Sequence, residues 1–248
     1  MSGHSHWASI RHKKAAMDSK RGRLFSKIAR RITLAAREGG GDPATNLKLE
    51  YAIAEAKAAS MPKETIERAI KKGTGELAGE QLYALTYEGY APGGVAVLIE
   101  AVTDNKNRTA AEIRHLMERH GASLAGTGSV AWIFEKKGLF MVEADKADED
   151  SLLALALESG AEDMQRSGNA FQITCAPADF AAVKRALTER GIPLASAQIT
   201  YMPQTTVAVD AATGRKVLEL LEALDEHDDV QNVYANFELP EAMLAEVS

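Results

Sequence analysis

Residues 138–202 read GLFMVEADKADEDSLLALALESGAEDMQRSGNAFQITCAPADFAAVKRALTERGIPLASAQITYM, and this stretch decides the fold class. Strand patterns at 139–143, 163–166, 170–175 and 197–202 alternate with helix patterns at 148–159 and 178–190. The order is βαββαβ, that of a ferredoxin-like unit. Cys175, the only cysteine of the chain, falls inside a strand, where a buried, inert thiol is the usual state.

Upstream of that unit, residues 82–87 and 95–102 are rich in Val, Tyr and Leu and are joined by Gly89, Pro92, Gly93 and Gly94, which predicts a hairpin. The polar run Asp104-Asn105-Lys106-Asn107-Arg108 leads into Thr109-Ala110-Ala111-Glu112, a capping box that opens a helix carrying Ile113, Leu116 and Met117 and closed by Gly121. Downstream, a strand at 205–209, a helix at 213–226 and a strand at 230–235 predict a further βαβ. These two parts combine most economically into one domain interrupted by the 138–202 unit, because an inserted unit needs only adjacent entry and exit points. The crossings fall at 126–129 and 202–203.

The amino-terminal end differs in charge. Residues 1–37 carry ten Lys or Arg and one acid, Asp18, in a chain of 248 residues whose net charge is -6. Residues 1–18 have no helical or strand period and read as an arm holding His4, His6, His12 and Trp7. From 19 to 38 Leu24, Ile28, Ile32 and Ala35 share one helical face, with Arg23, Lys27, Arg30 and Arg37 on roughly the opposite side, and Gly39-Gly40-Gly41 stop the helix. Asp42 before Pro43 predicts the N-cap of a second helix running to about Ser60, and Pro62 with Glu64 opens a third that ends at Lys71-Lys72-Gly73. Gly73-Thr74-Gly75 with Gly79 follows a helix instead of a strand, so it reads as a linker and not a dinucleotide cradle. Beyond residue 80 the balance inverts, to 13 basic and 26 acidic residues.

The expected fold is α+β, with a basic arm and three-helix domain at 1–80, a discontinuous middle domain at 81–129 plus 203–240, and an inserted ferredoxin-like domain at 130–202. The middle and inserted domains are both ferredoxin-like sandwiches. An acidic protein with its positive charge at one end presents it to a polyanion, since phosphate contacts release counterions. The nominated nucleic-acid contacts are His4, Trp7, Arg11, Lys13, Lys14, Lys20, Arg21, Arg23, Lys27, Arg30 and Arg37, with Trp7 stacking on a base and the cations meeting phosphates. Asn105, Asn107 and Arg108 form a second candidate site, with amide and guanidinium donors at a helix start. No metal is expected, because His4, His6 and His12 have no carboxylate or thiolate beside them. The acidic clusters at 145–150 and 225–229 read as solvated caps and surface charge. With no nucleophile elbow, P-loop or paired cysteines, an enzyme is not expected, nor a cofactor or small-molecule substrate. No apolar run spans a membrane and no secretory signal is present, so a cytoplasmic protein is expected.

Several motifs in order carry a resemblance: Gly3-His4-Ser5, Trp7, Lys13-Lys14, REGGGDP at 37–43, DNKNRTAAE at 104–112 and GSVAWIF at 128–134. Together they resemble the YebC family nearly end to end. Bacterial members are named as transcriptional regulators and mitochondrial relatives as translational activators of cytochrome c oxidase subunit I. The resemblance therefore implies a three-domain α+β fold and a non-enzymatic regulator of gene expression. Its partner would be DNA, in transcription, or ribosomal RNA and the ribosome, in translation. A protein interaction module that binds no nucleic acid is the reading from another class. One position departs: His6 stands where the family pattern GHSKW has Lys, which removes a fixed charge from the arm.

Overall fold

The computed structural model describes residues 18–240, and side chains from Arg21 onward within them. Three helices come first, α1 (Asp18–Gly39), α2 (Leu47–Ala58) and α3 (Lys63–Thr74). The apolar stripe of α1, Ile28, Ile32, Ala35 and Ala36, packs against Leu49, Ala52 and Ala56 of α2 and Ile66 and Ala69 of α3. Gly73 lets α3 approach α1 at backbone distance, since a Cβ there would run into the Thr33 carbonyl and the Ala36 side chain.

The junction between α1 and α2 departs from expectation. Asp42 does not cap α2; its Oδ1 accepts from the Ala44 N–H at 2.9 Å within a turn. Asn46 is the N-cap, with Oδ1 accepting from the Leu49 N–H. Its Nδ2 donates to the carbonyls of Ala35 and Gly40, each at 2.8 Å. A buried amide can close the end of one helix and the start of the next, which a carboxylate with acceptors alone cannot do.

A four-stranded antiparallel sheet follows, built from β1 (Tyr83–Ala91), β2 (Val95–Thr103), β3 (Ser123–Ala125) and β9 (Val230–Ala235) in the order β3-β1-β2-β9. Helices α4 (Lys106–Arg119) and α7 (Ala211–Asp225) cover one face, with Ile113, Met117, Val217 and Leu221 set on Val95, Val97 and Ile99. The second sheet is β5-β6-β4-β7, from β4 (Phe134–Glu143), β5 (Ala161–Ser167), β6 (Ala170–Cys175) and β7 (Ser196–Pro203), also antiparallel throughout. Helices α5 (Glu149–Glu158) and α6 (Phe180–Glu189) lie on it, with Leu152, Ala156, Val183 and Leu187 packed on Phe140, Val142, Phe171 and Ile173. The second sheet has the split-βαβ order of a ferredoxin-like sandwich. Read as β9-β2-β1-β3, the first repeats that order along a different chain path, with its last strand supplied from beyond the second sheet. The architecture is thus N-terminal helices followed by two antiparallel α/β sandwiches.

The outer face of the first sheet is covered over part of its width, while Ala84, Thr86 and Tyr90 of β1 stay exposed. Ala96, Leu98 and Tyr234 pack there with Val130, Ile133 and Phe134 from the entry to the second sheet, which explains why β2 is buried on both faces. One expected strand does not join the first sheet. The 205–209 segment forms only β8 (Val207–Ala208), paired in parallel with β10 (Phe237–Glu238). Asn236 diverts the chain: its Oδ1 accepts from the Ala96 N–H at 2.7 Å and its carbonyl accepts from the Val207 N–H at 2.7 Å. No helix of the described residues is long and apolar enough to cross a membrane.

Candidate nucleic-acid interface

Helical periodicity assigns α1 one apolar and one basic face; the apolar face is covered, and so is the middle of the basic one. The first packs into the helical core; the second lies on the turn that follows α7. Lys27, 7% exposed, donates from Nζ to the Asp225 carbonyl. Arg30 donates to the Asp228 carbonyl at 2.9 Å and to the Asp229 carboxylate, and Arg23 reaches the Glu226 carbonyl at 3.5 Å. The acidic cluster at 225–229 is therefore not plain surface charge, because it receives the basic face of α1. Arg37 remains exposed and donates to the Glu80 carbonyl at 2.9 Å, while Arg21 is exposed with its guanidinium over the Phe25 ring.

The same acid organises the second candidate site. Asp229, 2% exposed, accepts from Arg108 at 2.8 Å and from the Thr109 hydroxyl at 2.6 Å as well as from Arg30. Burial alone would raise its pKa, but the Thr109 hydroxyl, Arg108 and Arg30 outweigh burial and hold the carboxyl down at about 2. Arg108 is also paired with Asp104 at 2.8 Å. The helix starts earlier than the capping box predicts: Asn105 is the N-cap of α4, accepting from the Arg108 N–H, and Thr109 sits one turn inside with its hydroxyl on Asp229. Asn105 and Arg108 are thus already engaged, while Asn107 is exposed. Glu112, His227 and Asp229 come within metal-ligand reach of one another. Yet His227 Nδ1 accepts from the Asp229 N–H and its Nε2 faces Glu112 at 3.0 Å. With two guanidiniums on Asp229, a cation here would meet repulsion and no vacant donor pair.

His4, Trp7, Arg11, Lys13 and Lys14 lie outside the described residues, as does the side chain of Lys20. Among the described residues, the exposed cations Lys57, Arg68, Lys71 and Lys72 of α2 and α3 make no ion pair. Sequence reasoning passed over them because they belong to no dense cluster. Cys175 is fully buried, and desolvation pushes its thiol up to about 11. Periodicity also passed over Trp132, noted only as part of the GSVAWIF motif, which is 68% exposed. Its signal is the Gly-rich turn in front of it, which sets the direction of the ring.

Two family models account for most of the chain: the TACO1/YebC protein N-terminal domain matches residues 5–76, and the TACO1/YebC second and third domain matches residues 82–237. A protein of Dictyoglomus thermophilum named "Probable transcriptional regulatory protein" is 52% identical over the whole of both chains. One of Rubrobacter xylanophilus with the same name is also 52% identical over both full lengths. The crystal structure of a conserved hypothetical protein, Aq1575 of Aquifex aeolicus, superposes with a TM-score of 0.86 at 51% identity, covering 95% of this chain and 98% of that one.

Proposed function

The chain belongs to the TACO1/YebC family, and from that premise we propose that it is a non-enzymatic regulator of gene expression that acts by binding nucleic acid, with duplex DNA as its first target. The observation that carries the reading is the charge at its amino-terminal end, ten Lys or Arg against one acid in 37 residues. The part of that charge on the inner side of α1 is neutralised within the molecule. What is left to meet phosphates is the arm with Arg11, Lys13 and Lys14, then Lys20, Arg21 and the exposed Arg37, joined by the exposed cations of α2 and α3. His4 and Trp7 belong to the same contact. The relatives' names favour DNA and transcription. Such a contact is sequence-independent in the main and positions the protein on its target.

The test is a full-length variant, Arg11→Gln with Lys13→Gln and Lys14→Gln, titrated on a labelled duplex at low salt. Loss of most of the affinity with unchanged thermal stability supports the reading. Unchanged affinity removes the arm from the interface. Tighter binding to a structured RNA than to a duplex of equal length would move the target to RNA.

A further inference from the structure

A single exposed apolar side chain needs no explanation on a protein surface, but Trp132 is held by a built support. It sits in a short 3-10 turn at Ala131–Ile133. The turn is fixed from below by Glu88, 5% exposed on β1, whose carboxylate accepts the main-chain N–H groups of Gly128, Val130 and Ala131 at 2.6, 2.7 and 2.8 Å. Gly128 has φ +84, a conformation that side chains rarely adopt. On either side of the indole, Val130 and Ile133 are anchored in the apolar joint between the two sheets. The ring itself is pinned, its Nε1–H donating to the Ser129 carbonyl at 3.0 Å. The Tyr90 hydroxyl donates to that same carbonyl at 3.2 Å, with Tyr90 39% exposed beside it.

This support decides what the indole can offer. Its one donor is already used within the turn, so a ligand finds no hydrogen bond on Trp132, only the π surface. A buried carboxylate and a left-handed glycine hold that surface in one orientation, so little side-chain entropy remains to be lost on contact. Along the chain, Glu135 is paired with Lys137, which also meets Glu162 at 2.7 Å, and the exposed Lys136 makes no ion pair among the described residues and sets its ammonium 5.0 Å over the Tyr201 ring. A π surface that stacks without hydrogen bonding is the chemistry by which unpaired bases are held.

We propose that Trp132, with Tyr90 beside it, is a stacking platform for an unpaired nucleobase, as found in single-stranded DNA or in a loop of RNA. This rests on the nucleic-acid-binding reading above and adds a contact remote in sequence from the basic arm. The chain has two tryptophans, so in a full-length Trp7→Phe background the emission reports Trp132 alone. End-labelled twelve-nucleotide single strands, one DNA and one RNA, and a duplex of the same sequence would be titrated while anisotropy and tryptophan emission are recorded together. The expected result is quenching by one or both single strands and little by the duplex. Trp132→Ala should weaken single-strand binding about 5- to 150-fold, with Trp132→Phe retaining most of the affinity and duplex binding unmoved. Comparison of the two single strands shows which source supplies the base. Binding by anisotropy with no quenching and no loss in Trp132→Ala would overturn the platform and leave the nucleic-acid reading standing. No binding of any probe would overturn both.

Discussion

At the scale of the residue, Asp229 ties the helical unit to the first sheet. It is buried, and groups from two helices, Arg30 of α1 and both Arg108 and Thr109 of α4, converge on its two oxygens. Removing it with Asp229→Ala takes the buried carboxylate from Arg30, Arg108 and the Thr109 hydroxyl; because both guanidiniums are partly exposed and Arg108 keeps Asp104, the cost in chemical denaturation should be about 1.5–3 kcal/mol. Asp229→Asn, which keeps an acceptor for Thr109, should cost less. Acid provides a second test. The folded pKa lies below the ordinary carboxylate value, so this stabilisation is present above roughly pH 4 and is lost as pH falls toward about 2. The loss should amount to about 2–3 kcal/mol. Glu88 is also depressed, its main-chain donors outweighing burial, and titrates in the same direction. The informative quantity is therefore the difference between wild type and Asp229→Asn across that window; parallel curves would mean that Asp229 does not contribute. Substitution of Cys175 by Ala should leave binding intact, since its thiol is buried and raised to about 11.

At the scale of the element, α1 shows what periodicity can and cannot convey. The spacing of Leu24, Ile28, Ile32 and Ala35 is a local property, and it correctly identifies the face that meets α2 and α3. The fate of the opposite face depends on partners about 200 positions away, Lys27 on Asp225 and Arg30 on Asp229, and no helical period encodes a contact of that separation. The same limit explains β8, which has a strand's composition but is drawn off the sheet by Asn236. The βαββαβ order was legible because each element there carries its own period, although β4 pairs with β6 and β7 and not with β5, its neighbour in sequence. Caps were less legible: Asp42 and Thr109 satisfy the patterns, yet Asn46 and Asn105 reach the right main-chain groups. For α1 the consequence is measurable. Lys27→Ala should destabilise the protein by about 1–3 kcal/mol, because the Asp225 carbonyl loses a charged donor at a partly buried site. A free, solvated Lys27 would instead give a change within about 0.5 kcal/mol in the same denaturation experiment.

At the scale of the whole molecule, the chain is electrically divided. Residues 1–80 carry 16 basic and 9 acidic side chains, a net of +7, and the remainder carries 13 and 26, a net of -13. The two parts meet where α1 lies on the 225–229 turn, and Tyr51 of α2 also packs edge-on against Phe180 of α6, with centroids 5.3 Å apart. The helical unit is thus fastened to both sandwiches, and the acidic bulk of the molecule repels any polyanion that the arm attracts. Salt can separate these two uses of positive charge. A cation that meets phosphate on a duplex contributes about 0.9 to the slope of log affinity against log salt, whereas a cation already held by Asp225 or Asp229 displaces no counterion from DNA. Replacing Arg11, Lys13 and Lys14 together should therefore flatten the slope by as much as about 2.7 if all three meet phosphates. Lys27→Ala, compared under conditions where the variant remains folded, should leave the slope unchanged even though stability falls. A slope that responds to Lys27 as strongly as to an arm residue would show that nucleic acid takes the basic face of α1 away from the acidic turn, and that the joint between the helical unit and the first sheet opens on binding.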